Sequence, residues 1–275
     1  MRKMAGLLLI VRIAVLFAWP WQLYGQPVGF RKTSSEVLES RLRDCPEKSG
    51  QRSLKLEELF RAAGCTDDLL SRQPVTGYKD PNIIGVLPGE TDSVIIVGGH
   101  FDNAGDGHGV IDNWSGAVLL PTLYESLKVS PRRHTFIFVG FAAEEEGLIG
   151  SRFYAKHMTR EEVARTSAMV NLDCLGLGTT AVLPLASSKK LMDMLLRVAG
   201  ATKMRVRGCN VQAAGWDADS FSTKIPKITF HSITPRSGDV ANSFNDNFDE
   251  VQWEEYYKSY LLISMFLAYI DTQLK

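Results

Sequence analysis

No excess of either charge marks this chain: Lys and Arg number 31, Asp and Glu also 31, and the formal net charge is zero. A groove for nucleic acid needs a concentrated positive field, and this balance supplies none. Cysteine is scarce as well. The four cysteines, Cys45, Cys65, Cys174 and Cys209, include no C-x-x-C pair, which argues against a zinc knuckle. Cys45 and Cys65 either pair across the first helical region, as an oxidising compartment would allow, or stay buried thiols. Cys174, in an apolar run beside Asp173, reads as a core thiol. Internal repeats, low-complexity tracts and long linkers are all missing.

Also lacking is the uninterrupted apolar stretch of about 20 residues that spans a bilayer. The nearest approach, Ala5 to Trp21, is split by Arg12 and Pro20. Arg2 and Lys3 precede it, and Leu23-Tyr24-Gly25 follow it. That layout is the layout of an export signal cleaved before Gln26, with a membrane anchor as the alternative. The expectation is a signal peptide over 1–25 and a single domain over 26–275. No stable membrane span remains after cleavage, and the product is periplasmic or secreted. No Cys stands at the cleavage point to carry a lipid.

What is present is alternation. Apolar residues make up 45% of the chain, enough for a packed core. Residues 34–64 read as helical. Residues 82–87 and 93–98 read as adjacent strands around a turn at Pro88-Gly89. A helix over 114–128 is entered through Asn113. Residues 135–142 and 168–173 are continuous apolar runs typical of buried parallel strands. Helices are expected over 148–158, 187–200 and 252–274, and a strand over 225–231. Strands alternating with helices predict an α/β sandwich around a mostly parallel sheet. Ligands in such folds gather at the carboxyl ends of the strands. His100, Asp102, Glu144, Glu145 and Asp173 all fall at such ends.

Four segments carry these side chains: VGGHFD (97–102), IDNWSG (111–116), FAAEEEGLIGS (141–151) and MVNLDCLG (169–176). Zinc takes nitrogen and oxygen donors of this kind. Two metals sharing a carboxylate would explain why acids outnumber a single His. Residues i and i+2 of an extended segment point the same way, so Asp102 can orient the imidazole of His100. The alternative is an isolated surface His. Asp112 can bridge two cations or simply cap a turn. Glu144 and Glu145 are neighbours and diverge. One can bind metal while the other takes a proton from metal-activated water and delivers it to a leaving amine. With Glu146 they could instead form a solvated acidic loop. Asp173 closes a buried run and needs a partner to offset desolvation, for which a metal is the simplest.

In combination, H-x-D, D-N-x-S-G and E-E-x-G-L-x-G-S resemble the zinc-dependent aminopeptidase family, which includes the glutaminyl cyclases, over roughly residues 65–271. The resemblance implies a three-layer α/β sandwich, its mixed and mostly parallel sheet flanked by helices, acting on a peptide substrate. It implies one zinc held by His100, Asp112 and Asp173. Asp112 would bridge to a second zinc held by Glu145 and one further ligand. Glu144 would be the general base, Asp102 would orient His100, and the peptide between Asp112 and Asn113 would be cis.

The pattern departs at its last ligand. Where the family has a His, residues 242–249 read NSFNDNFD, so Asn242 takes that position while Ser243, Asp246 and Asp249 keep the frame. A neutral carboxamide oxygen is a poorer zinc donor than imidazole. The second site should be weakened, lost or filled by a harder metal. His231, in FHSIT, either lines the site or reaches the metal. His108 reads as a solvated loop residue, and His134 and His157 as surface. Asp217 and Asp219, in GWDADSF, fall where the family closes its substrate pocket, and Asp219 would support the site or face the substrate amine. Trp216, Phe221 and Phe244 either build an apolar specificity pocket or belong to the core. The leading expectation is an exported metallo-exopeptidase, most simply an aminopeptidase. A glutaminyl-cyclase-like acyltransferase and a metal-binding module without catalysis are the alternatives.

Overall fold

The computed structural model describes residues 29–211, 215–234, 237, 239–241 and 243–275; the expected signal peptide and Asn242 lie outside them. Two helices open this part, α1 (Ser35–Arg43) and α2 (Ser49–Ala62). Ser34 starts the first by accepting the amide of Val37, as a good N-cap does. Then follow β1 (Leu70–Gln73), β2 (Asn82–Leu87), β3 (Val94–His100), α3 (Ser115–Ala117), α4 (Leu119–Leu127) and β4 (Thr135–Phe141). The second half holds α5 (Ile149–His157), α6 (Arg160–Arg165), β5 (Thr166–Leu172), β6 (Ala181–Val182), α7 (Lys189–Thr202), β7 (Arg207–Gly208), β8 (Lys227–His231) and α8 (Trp253–Gln273). No helix of the described residues is long and apolar enough to cross a membrane.

The strands form one mixed sheet in the order β1-β2-β4-β3-β5-β8-β6-β7. Its middle, β4-β3-β5-β8, is parallel throughout. The strands β2 and β6 flank it antiparallel. All seven positions of β3 are buried, the mark of a strand covered on both faces. On one face Ile95, Val97, Phe136, Phe138, Val170 and Phe230 meet α1, α2, α4, α7 and α8. On the other, Ile96, Val139, Phe141 and Met169 meet the partly buried Tyr154 of α5 and Val163 of α6. The chain is thus the expected three-layer α/β sandwich. Phe60, Tyr124, Phe136 and Phe138 knit the thicker side, with ring centroids between 5.9 and 6.5 Å apart. Each such ring contributes roughly 2–3 kcal/mol of burial.

The sheet order corrects one expectation. Strands β2 and β3 are not neighbours, because β4 lies between them and pairs with both. The loop after β2 explains this. Instead of closing a hairpin, it bonds to the residues entering β4: Glu90 and Thr91 donate to the carbonyls of Arg132 and Arg133, and Gly89 donates to the Thr135 hydroxyl. His134 is corrected too. It is fully buried, because Asp271 near the end of α8 accepts its amide at 2.7 Å and meets ring Nδ1 at 3.1 Å. Burial opposes the Asp271 charge, yet the His134 bonds hold its carboxyl below the usual range.

Candidate metal centre

Parallel strands bring their carboxyl ends to one edge, and His100, Asp102, Asp112, Glu144, Glu145 and Asp173 meet there, Asn242 lying outside the described residues. His100 is the last residue of β3 and only 1% exposed. Its Nε2 lies 3.1 Å from Asp112 Oδ1 and 3.9 Å from both Glu144 Oε2 and Asp173 Oδ1. Its Nδ1 lies 3.3 Å from Asp102 Oδ1, a loosely aligned contact with the carboxylate expected to orient it. Asp102 is fixed in turn by the amides of Glu144 and Glu145, at 3.0 and 3.1 Å. One carboxylate therefore links the imidazole to the segment that carries both glutamates.

Asp112 sits in a kinked turn, Val110–Trp114, whose backbone is non-helical at Asp112 and Asn113, and the peptide joining these two residues is cis. Three side chains hold the turn. Asp246 accepts the amides of Ile111 and Asp112 at 2.7 and 2.9 Å. Asn113 donates to the Leu172 carbonyl at 2.9 Å and accepts the amides of Gly116 and Cys174. Ser115 donates to the Ile111 carbonyl and accepts the amide of Leu175. These bonds explain the Asn, Ser and Gly of the D-N-W-S-G motif, which hold the Asp112 turn against the end of β5. Gly116 is there because a methyl group would overlap the Leu172 carbonyl. Gly116→Ala should cost roughly 1–3 kcal/mol, as overpacking does. Urea unfolding checks this, and an unchanged midpoint would refute the close approach.

The residues just before Glu144 and just after Asp173 are in the left-handed region: Ala143 at φ 52° and Cys174 at φ 52°. Side chains rarely tolerate that conformation, and it is common where a site dictates the backbone.

Electrostatically the cluster carries too many acids for its cations. Burial pushes Asp173 up to about 8, Glu144 up to about 9 and Glu145 up to about 7. Burial also opposes the His100 charge, but Glu144, Asp102, Asp112 and Asp173 outweigh it and hold its pKa well above the ordinary value. Such a cluster fits a dication. Ligand atoms of His100, Asp112 and Asp173 lie within 4.8 Å of one another, as do those of His100, Glu144 and Glu145. Glu145 Oε1 is buried without a hydrogen-bond partner. Nitrogen and carboxylate oxygen in this mix suit zinc.

Other expectations sort differently. His231 ends β8, but its ring packs on Trp216 with centroids 5.7 Å apart, and Nε2 lies 3.0 Å from the Cys209 carbonyl. It belongs to neither group of converging ligands. A carbonyl only accepts, so Nε2 keeps the proton, and burial pushes the ring pKa down to about 4. Asp219 is exposed and merely accepts the Trp216 amide, whereas its neighbour Asp217 is fully buried, with only a weak contact to Ser151. Burial pushes Asp217 up to about 7, and His100, Asp102 and Asp112 all act on it. Of the DAD pair, therefore, it is Asp217 that faces the site. The three aromatic residues build no common pocket. Phe221 packs in the core on Phe141 and Tyr154, Trp216 is buried on His231, and Phe244 is 82% exposed. His108 and His157 are exposed. All four cysteines are free thiols, so the pair Cys45 and Cys65 is not bridged.

The model of Peptidase family M28 matches residues 82–266. Aminopeptidase Y of Saccharomyces cerevisiae is 34% identical over 98 residues, which are 35% of this chain and 18% of the yeast protein. The match thus spans less than a fifth of that relative. Among solved structures, a zinc aminopeptidase from Bacillus subtilis has a TM-score of 0.63 at 22% identity, over 73% of this chain and 51% of that one. A glutaminyl cyclase from an Acidobacteriales bacterium has a TM-score of 0.70 at 18% identity, over 87% of this chain and 94% of that one. At these identities the likeness is one of fold alone.

Proposed function

The chain belongs to peptidase family M28, and from that premise we propose that it is a zinc metallo-exopeptidase that removes N-terminal residues from peptides. The reading is carried by one observation: the buried His100, Asp112 and Asp173 offer converging ligand atoms beside a half-buried carboxyl, Glu144.

In this reading His100, Asp112 and Asp173 would hold one zinc. Asp112 and Glu145 would begin a second site, for which the sequence offers Asn242 in place of the expected His. Zinc, when bound, supplies Lewis-acid polarisation of the peptide carbonyl and acidifies water. Glu144 takes the proton released as the carbonyl is attacked and returns it to the departing amine. Asp102 keeps the imidazole in one tautomer, and Asp217 adds negative potential on which a substrate ammonium can rest. The basic and then apolar start of the chain supports export.

The test is incubation of the zinc-loaded protein with aminoacyl chromogenic amides and with a peptide starting in Gln. Release of free amino acid is the expected result. Release of ammonia from the Gln peptide, with no free amino acid, would replace this reading with an acyltransferase.

A further inference from the structure

Arg52, on α2, is 0% exposed. Among the described residues no carboxylate lies within ion-pair distance of it. Its donors go almost entirely to main-chain carbonyls. Nε donates to Pro46 at 2.8 Å. Nη1 donates to Phe101 at 3.1 Å and Asp102 at 3.2 Å. Nη2 donates to His108 and, at 3.1 Å, to Gly109, with the Cys45 sulfur also in reach. A buried cation without an anion is costly, and an apolar side chain would fill the same space on a helix. The arrangement makes sense through what it joins. Phe101 and Asp102 follow directly on His100. His108 and Gly109 lead directly into the turn of Asp112. No backbone hydrogen bond among the described residues joins 100–102 to 108–112. Only a planar fork with five N–H groups can span both segments at once.

We propose that Arg52 is a positioning residue for the metal centre: its guanidinium sets the separation between the segment of His100 and Asp102 and the turn of Asp112. Asp246 grips the amides of that turn from one side and Arg52 grips its preceding carbonyls from the other. The inference rests on the metal reading of the site but not on the identity of the substrate.

The test compares Arg52→Lys with Asp271→Asn in the full chain. The second change lies near the amino end of β4, away from the site, and serves as a general destabilisation. Zinc affinity is measured by chelator competition, and kcat and KM on a chromogenic amide. Arg52→Lys is expected to lose about tenfold or more in zinc affinity, in the range of other supports for metal ligands. Its kcat should fall with KM nearly constant, while Asp271→Asn keeps wild-type zinc affinity at a comparable melting temperature. Wild-type zinc affinity in Arg52→Lys would overturn the proposal. So would an equal loss of zinc affinity in Asp271→Asn at a comparable melting temperature. If Arg52→Lys does not fold, Arg52→Gln takes its place in the same comparison, with the same loss of zinc affinity expected, and wild-type zinc affinity in it overturns the proposal. If wild type binds zinc but hydrolyses nothing, the functional reading falls while the affinity comparison still stands.

Discussion

Glu144→Gln is expected to leave zinc content unchanged while lowering kcat/KM by about a thousandfold, the scale of a lost general base. The carboxyl stands 3.9 Å from His100 Nε2, close enough to face the reacting centre without needing to be a ligand. Burial, with Asp217 and Asp173 nearby, pushes it up to about 9, and His100 pulls the other way. A bound dication adds to the pull of His100 and brings the group back towards neutrality, where a base is most useful. Gln keeps the shape but accepts no proton. Elemental analysis of the same sample discriminates the roles of the two glutamates. His100, Glu144 and Glu145 also converge closely enough to hold an ion. Zinc lost together with activity would make Glu144 a ligand and end its assignment as base.

Stripping the metal should turn the pH dependence of stability upside down. Asp173 is pushed up to about 8, Glu144 to about 9, and Glu145 and Asp217 to about 7. All four lie above their unfolded values, so the metal-free fold keeps protons that the unfolded chain releases. Their contribution is complete below the ordinary carboxylate range and is lost as pH rises through about 7, 8 and 9. His100, also raised, acts in the same direction. These groups act on one another, so their effects do not add, but the direction is common to all of them. Chelator-treated protein should therefore melt progressively lower between about pH 6 and about pH 9. Zinc should restore it, most strongly at the alkaline end, where the carboxylates are free to bind. A melting temperature that is flat across this range, or that rises with pH without metal, would mean that the acids already have partners and that the cluster is not a cation site.

Much of this centre was legible before any coordinates. His100, Asp102, Glu144, Glu145 and Asp173 announced themselves because each polar group closes an apolar strand, and parallel strands leave their ends on one edge. Asp112 was legible through its turn motif. Partners that are backbone groups far along the chain were not legible. Asp246 stood out only as part of the frame around Asn242, and Arg52 not at all; both bind main-chain atoms in or beside the same turn, and nothing in their local patterns points there. Asp217 was passed over for Asp219 because spacing alone cannot say which carboxylate of a 3-10 turn faces inward. The order of β2, β4 and β3 hid for a related reason. A Pro-Gly turn suggests a hairpin, but here the loop spends its hydrogen bonds on residues 132–135. The burial of His134 was hidden by its arginine neighbours and depends on Asp271, 137 residues away.

The carboxylate of Asp246 reaches back 134 residues to the amide of Asp112. During synthesis the strands that lead to His100, Glu144 and Asp173 leave the ribosome well before that carboxylate does. Until it arrives, the Asp112 turn has Arg52 on one side and no anion on the other. A cation site built on that turn is therefore complete only once residue 246 is in place, after the strands of the central sheet have all been made. A polypeptide stalled between residues 173 and 246 would carry every converging ligand and still lack the grip that aims the one shared between them.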